Sequence, residues 1–188
     1  MFIETEATPN PATLKFLPGR PVMPEGTLDI RDAAAAGKSP LAQALFTIEG
    51  VTGVFYGADF ISVTKTEAQD WAHLKPAILG AIMEHVMSGA PLLEAAPEGH
   101  PAEADDEFYD ADDEETVDTI KELIETRVRP AVAGDGGDIT FKGYKGGTVY
   151  LSMRGACAGC PSSTATLKQG IENLLKHFVP SVHAVEQI

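Results

Sequence analysis

The chain has 188 residues, of which 44% are apolar, and a formal charge of −14 from 28 acidic and 14 basic side chains. That length suits one ordinary domain or two small ones around buried cores. The charge argues against nucleic acid and anionic membrane as partners, since either surface would repel it, and no apolar run approaches the roughly 20 residues of a membrane-spanning helix.

The N-terminus "MFIETEATPNP" has neither a basic region followed by an apolar signal core nor the Arg-rich, acid-poor character of a transit sequence. The address expected from it is the bacterial cytoplasm, with the mitochondrial matrix as the alternative for a processed form. Short strands are predicted around Phe2 to Glu6, Thr13 to Leu17, Val51 to Tyr56 and Phe60 to Thr64, from β-branched and aromatic runs broken by Gly and Pro. "GADF" between the last two is a hairpin turn. Ser39-Pro40 offers a cap residue and a proline at the first helical position, so Leu41 to Phe46 is a short helix. Trp71, Leu74, Ile78, Ile82 and Val86 step by three and four and form the apolar face of a second helix. Pro76 falls inside that pattern, so the helix either starts near Pro76 or bends there. Trp71 belongs to a core face, and His73 and His85 are surface or edge residues with no ligand cluster beside them.

From Glu94 to Glu115 there are eleven acidic residues and no lysine or arginine. Like charges at that density repel, and the few apolar side chains do not offset the entropy of ordering the backbone. The stretch is expected to be a solvated spacer of roughly 25 to 30 Å, extended by its own charge, with Phe108 and Tyr109 as the only residues suited to docking. The glycine and ligand spacing of a calcium loop are missing. The division expected is an N-terminal domain over 1–90, an acidic linker over 91–113 and a C-terminal domain over 114–188. The fold class is α+β, with two small sandwich-type domains, each layering helices on a sheet, joined by that flexible linker.

In the second domain, Val117, Ile120, Ile124 and Val128 mark a helix that Pro130 and "GDGGD" (Gly134 to Asp138) are expected to close. "DITFKGYKGGTVYLSM" is a hairpin with a Lys-Gly-Gly turn. Thr164, Leu167, Ile171, Leu174 and Phe178 line a further helix ended by Pro180, and "VHAVEQI" returns as a last strand.

Both cysteines of the chain, Cys157 and Cys160, lie in "RGACAGCPSS" between that hairpin and that helix. Two cysteines are too few for a disulfide scaffold, and a reducing compartment keeps them as thiols. Pro161 suits the first helical position and leaves Cys160 as the cap. The unpaired amides of Ser162, Ser163 and Thr164, with the positive end of the helix dipole, are expected to stabilise thiolates and lower their pKa. Arg154 is either a counter-charge or a solvent-facing strand residue. Three chemistries compete for the pair. A dithiol oxidoreductase also places CxxC at a helix N-terminus, but it calls for a larger sheet with parallel strands upstream of the motif. A structural zinc site needs four ligands, and His177 and His183 are not at finger-like spacing, which leaves a zinc-bridged interaction module between two chains. An iron–sulfur cluster is normally held by four thiolates. One chain supplies two, and a homodimer with its CxxC turns face to face across a twofold axis would supply four.

Arg129 to Leu175, with its GDGGD turn, hairpin and "GACAGCPSS", resembles the C-terminal domain of NifU and the Nfu proteins. Met1 to Val22 is similar to the start of the N-terminal domain of Nfu proteins from mitochondria and related bacteria. The resemblance implies an iron–sulfur cluster scaffold or carrier, not an enzyme. It implies a [4Fe-4S] cluster shared between two chains, with Cys157 and Cys160 as the ligands of each. The implied partners are a second copy of the chain, an upstream assembly scaffold and apo-proteins such as lipoyl synthase and respiratory or aconitase-type proteins, and the N-terminal domain is implied to recognise clients. No catalytic residue is implied.

Overall fold

Two rows of apolar side chains organise the first half of the protein. The computed structural model describes residues 2–94, 107–158 and 160–188, and the chain divides into two units, Met1–His100 and Pro101–Ile188. In the first unit β1 (Glu4–Ala7), β2 (Thr13–Leu17), β3 (Leu28–Ile30), β4 (Val51–Tyr56) and β5 (Ile61–Lys65) form an antiparallel sheet in the order β1-β2-β5-β4-β3. Leu14, Val63, Val54 and Ile30 lie opposite one another across four strands, and Phe16, Ile61, Tyr56 and Leu28 form the parallel row. Side chains two apart along a strand share a face, so both rows point the same way.

Helices α1 (Pro40–Phe46) and α2 (Trp71–Ser88) supply Leu41, Ala42, Leu45, Leu74, Ile78 and Ile82 to the same core. Full burial stabilises each large aliphatic side chain by about 1.5–3 kcal/mol. Ser39 caps α1 by accepting from the Ala42 amide, and its hydroxyl lies 2.8 Å from that of buried Tyr56, so the cap is tied to the sheet. Asp70 caps α2, which runs through Pro76 and stops at Gly89 in the left-handed conformation (φ 67°). Pro76 therefore does not mark the start of this helix. Trp71 anchors the first turn by donating from Nε1 to the Pro11 carbonyl at 3.0 Å.

The second unit has a three-stranded sheet, with β6 (Gly137–Lys145) antiparallel to β7 (Thr148–Gly155) and β8 (Ala184–Gln187) parallel to β7. Gly146 and Gly147 turn the hairpin with φ of 57° and 80°, the positive pair that a two-residue turn between twisted strands requires. Apolar residues from α3 (Glu114–Leu123) and α5 (Pro161–Phe178), among them Val117, Ile120, Ile171 and Leu175, share a core with Ile139, Val149, Leu151 and Val185 of the sheet. Each unit thus combines helices with a sheet, and the chain is α+β in two domains.

Two expectations are corrected here. Pro130 does not close the helix that starts at Glu114; a π turn over Ile124–Val128 leads directly into α4 (Arg129–Gly134). Pro130 sits in the first turn of α4, where a missing amide costs little. The acidic stretch is also not a spacer throughout. Residues 95–106 lie outside the described residues, but Phe108 bridges to Gly143 of β6, its amide donating to the Lys142 carbonyl and its carbonyl accepting from the Tyr144 amide. The Phe108 ring is 5.1 Å from that of Tyr150, Glu107 is ion-paired with Lys121, and Ala111–Asp113 form one 3-10 turn before α3. No helix of the described residues is long and apolar enough to cross a membrane.

Candidate functional site

The cysteine turn hangs from the open end of the β6–β7 hairpin. Gly137 pairs with Gly155 in the last register position of the two strands, and Gly155 then takes a positive φ of 67° that turns the chain out of β7. Gly136 is also left-handed (φ 82°), and its carbonyl accepts from the Ala156 amide at 3.2 Å. That bond ties one end of the turn to the segment between α4 and β6. Thr164 provides the second tie: its hydroxyl donates to the Cys157 carbonyl and its amide to the Cys160 carbonyl, both at 2.9 Å.

The two thiols occupy different environments. Cys160 is the N-cap residue of α5, with Pro161 at the first helical position as the sequence predicts. Its sulfur is 3.4 Å from the Ser162 hydroxyl. The hydroxyls of Ser162 and Ser163, then the Ser163 amide, draw the thiol down from its ordinary value to about 7, so that roughly half is thiolate at neutral pH. Cys157 goes the other way. It is 5% exposed and packed in the second unit's core. Burial, then the charges of Asp135 and Asp138, push its thiol up to about 12. The amides and dipole of the helix N-terminus were expected to lower both thiols; Cys160 is lowered first by the Ser162 and Ser163 hydroxyls, with the amides adding less and the Thr164 amide taken by the Cys160 carbonyl, while desolvation governs Cys157.

Around the thiols the sequence reading missed three things. The first is Gly137: a Cβ there would stand 2.8 Å from the Cys157 sulfur and 2.6 Å from the Arg154 carbonyl oxygen. The doubled glycine of "GDGGD" was its only signal. The second is the bond from the Thr164 hydroxyl to the Cys157 carbonyl; the sequence marked Thr164 only as a first-turn amide and a residue of the helix face. The third is the pairing of buried Asp138 with Arg129, whose guanidinium donates from Nε and Nη2 to the two carboxylate oxygens at 2.9 and 3.0 Å. The π turn just before Arg129 sets its phase on the helix. Arg154 lies on β7 opposite Asp138 and is half-buried.

The histidines stay apart from the cysteines. His177 is in the last turn of α5, edge-on to Phe178, and the His183 ring lies against Gly147 at the hairpin turn. Among the described residues no three His, Cys, Asp or Glu side chains converge as metal ligands. The turn therefore offers two sulfurs per chain and no third ligand among those residues. That number fits a tetrathiolate iron–sulfur centre only as half of a site.

Two family models match the chain, one described as scaffold protein Nfu/NifU N terminal over residues 3–89 and one as NifU-like domain over residues 120–186. A human protein named NFU1 iron-sulfur cluster scaffold homolog, mitochondrial, is 51% identical over 190 residues, covering 100% of this chain and 72% of the relative. The protein of the same name from Drosophila sechellia is 50% identical over 189 residues, and this chain spans 65% of its length. A solution NMR structure of a NifU-like protein from Saccharomyces cerevisiae superposes with a TM-score of 0.47 at 27% identity, over 51% of this chain and 87% of that one. With both family domains in order and half of its residues shared with a relative that it covers by 72%, this chain belongs to the Nfu family of scaffold proteins.

Proposed function

We propose that the protein is an iron–sulfur cluster scaffold that carries a [4Fe-4S] cluster between two copies of itself and passes it to apo-proteins. Cys157 and Cys160 are the ligands from each copy, and the cluster is cargo. The observation that carries the proposal is the two-sulfur turn with no third metal ligand among the described residues. Four thiolates are the usual set for such a cluster, and a twofold pairing of identical turns is the simplest way to reach four. The names of the relatives, iron-sulfur cluster scaffold homolog, support the same reading.

A site divided between two chains couples cluster binding to dimerisation, so loss of either weakens the other. It also leaves the cargo open to thiolates of an acceptor. In this proposal the cluster arrives from an upstream assembly scaffold and leaves by stepwise thiolate exchange. Residues 1–90 recognise the acceptor and 107–188 hold the cluster, so that carrying both on one chain raises the acceptor's local concentration. No bond of an organic substrate is made or broken, so the protein is a carrier and not an enzyme. The relatives are named as mitochondrial, which supports the matrix over the bacterial cytoplasm as the place of action.

Anaerobic reconstitution with iron and sulfide, followed by Mössbauer spectroscopy and native mass measurement, tests the proposal. The expected result is one four-iron cluster per two chains, lost in Cys157→Ser and in Cys160→Ser. Single chains that each retain a whole cluster would refute it. Tight zinc in place of iron would favour a zinc-bridged module, and metal-free disulfide reductase activity a dithiol oxidoreductase.

A further inference from the structure

The two proposed ligands are not equally ready, and the reason lies in Gly137. The Cys157 sulfur belongs to the buried core of the second unit, and it has room there because residue 137 carries no side chain. Any Cβ at 137 would stand 2.8 Å from that sulfur, closer than carbon and sulfur approach. Cys160, by contrast, is partly exposed at the head of α5, its sulfur facing the Ser162 hydroxyl. A cluster shared across two chains needs both sulfurs at the surface.

The backbone around Cys157 is fastened on both sides, by the Ala156 amide on the Gly136 carbonyl and by the Thr164 hydroxyl on the Cys157 carbonyl. With the main chain held, the sulfur leaves its seat by rotation about its own Cα–Cβ bond between staggered positions, and the turn need not unfold.

We propose that the ligands act in order: Cys160 captures iron first, and Cys157 turns out of its seat on Gly137 to complete the half-site. The inference rests on the scaffold reading above. Each thiol gives its proton to solvent as its sulfur takes the metal, and no electron changes hands. The seat has a second effect. A disulfide requires the two sulfurs in bonding contact, so the empty carrier is open to oxidation only while Cys157 is out of its seat.

The test uses the metal-free full-length chain and p-hydroxymercuribenzoate, a bulky thiol reagent, with peptide mass mapping of brief pulses. Cys160 is expected to react at least ~10-fold faster than Cys157, a gap set by local opening that closes in denaturant. Gly137→Ala should evict the sulfur and bring the Cys157 rate up to that of Cys160. Should that variant fail to fold, because its Cβ also meets the Arg154 carbonyl, the wild-type ratio decides alone. Iron and sulfide uptake of Cys157→Ser and Cys160→Ser is measured in parallel. Unequal rates with uptake lost in both variants is the expected pair of results. Equal rates in the folded wild type, with uptake lost in both variants, overturn the order of capture and leave the scaffold reading standing. Unchanged uptake in both variants overturns the scaffold reading and the order with it, whatever the rates.

Discussion

Arg129 holds Asp138 by both carboxylate oxygens while a third nitrogen reaches Glu125 at 2.7 Å, so one guanidinium joins the helix to the first residues of β6. Asp138 is 6% exposed and also accepts from the Ile139 amide. Removing the guanidinium takes two charge-assisted bonds from that buried carboxylate, which is costlier than losing a surface pair. Arg129→Gln is expected to destabilise the second domain by about 2 to 4 kcal/mol. Urea unfolding of the metal-free chain measures it, and a midpoint equal to wild type would show that the pair contributes nothing.

The cysteines should separate in pH. In the metal-free protein the rate of Cys160 alkylation by iodoacetamide is expected to rise with a midpoint at about 7, and Ser162→Ala should move that midpoint upward. Cys157 should be modified much more slowly in the folded state. The signs for stability are opposite. Cys160 is lowered from 9.0 to about 7, so its contribution is complete above the unfolded value and is lost as pH falls through about 7. Cys157 is raised from 9.0 to about 12, so the fold favours its protonated form, a contribution present below 9.0 and lost as pH climbs towards about 12.

Phe108 and Gly143 form a lock and its notch. A Cβ at Gly143 would stand 2.5 Å from the Phe108 ring, so Gly143→Ala and Phe108→Ala should have the same result. Each is expected to free the Tyr144 amide for hydrogen exchange and to expose Tyr109 to chymotrypsin, at a cost of about 1 kcal/mol. The double variant should add little to either single one. Full additivity would show that the two residues act separately.

In the first domain, Ile82 is fully buried between α2 and the sheet. Ile82→Ala should cost about 2–5 kcal/mol, from lost apolar burial and the cavity left behind. The loss should appear as faster amide exchange in β4 and β5, measured by NMR on the full chain.

Features set by neighbouring residues were legible in the sequence. Ser39-Pro40 starts α1, the Gly146-Gly147 turn closes the hairpin, and Cys160-Pro161 starts α5, because a cap or a turn is a local matter of hydrogen bonds and backbone angles. β3 was missed: Leu28, Asp29 and Ile30 alternate, but three residues are too short a run to mark a strand, and only pairing with β4 makes them one. Pro130 misled because a proline rule that assumes a regular α-helix does not foresee a π turn that places it in a new first turn. The positions of Cys157 and Cys160 were plain, but their difference was not. Whether a cysteine points into the core or out of it depends on Gly137, twenty residues away in sequence and adjacent only after the hairpin forms.

The margin of a sheet is a hazard, since its unsatisfied backbone groups invite any extended chain to add itself on. β6 is such a margin, and Phe108 occupies it at Lys142 and Tyr144 with Glu107 and Asp110 close by in sequence. A second molecule approaching there meets a filled notch and negative charge. The same few residues that begin the second domain therefore also guard it against fibrous self-association, and a second domain that started after residue 110 would lose that guard while keeping its three strands and both cysteines.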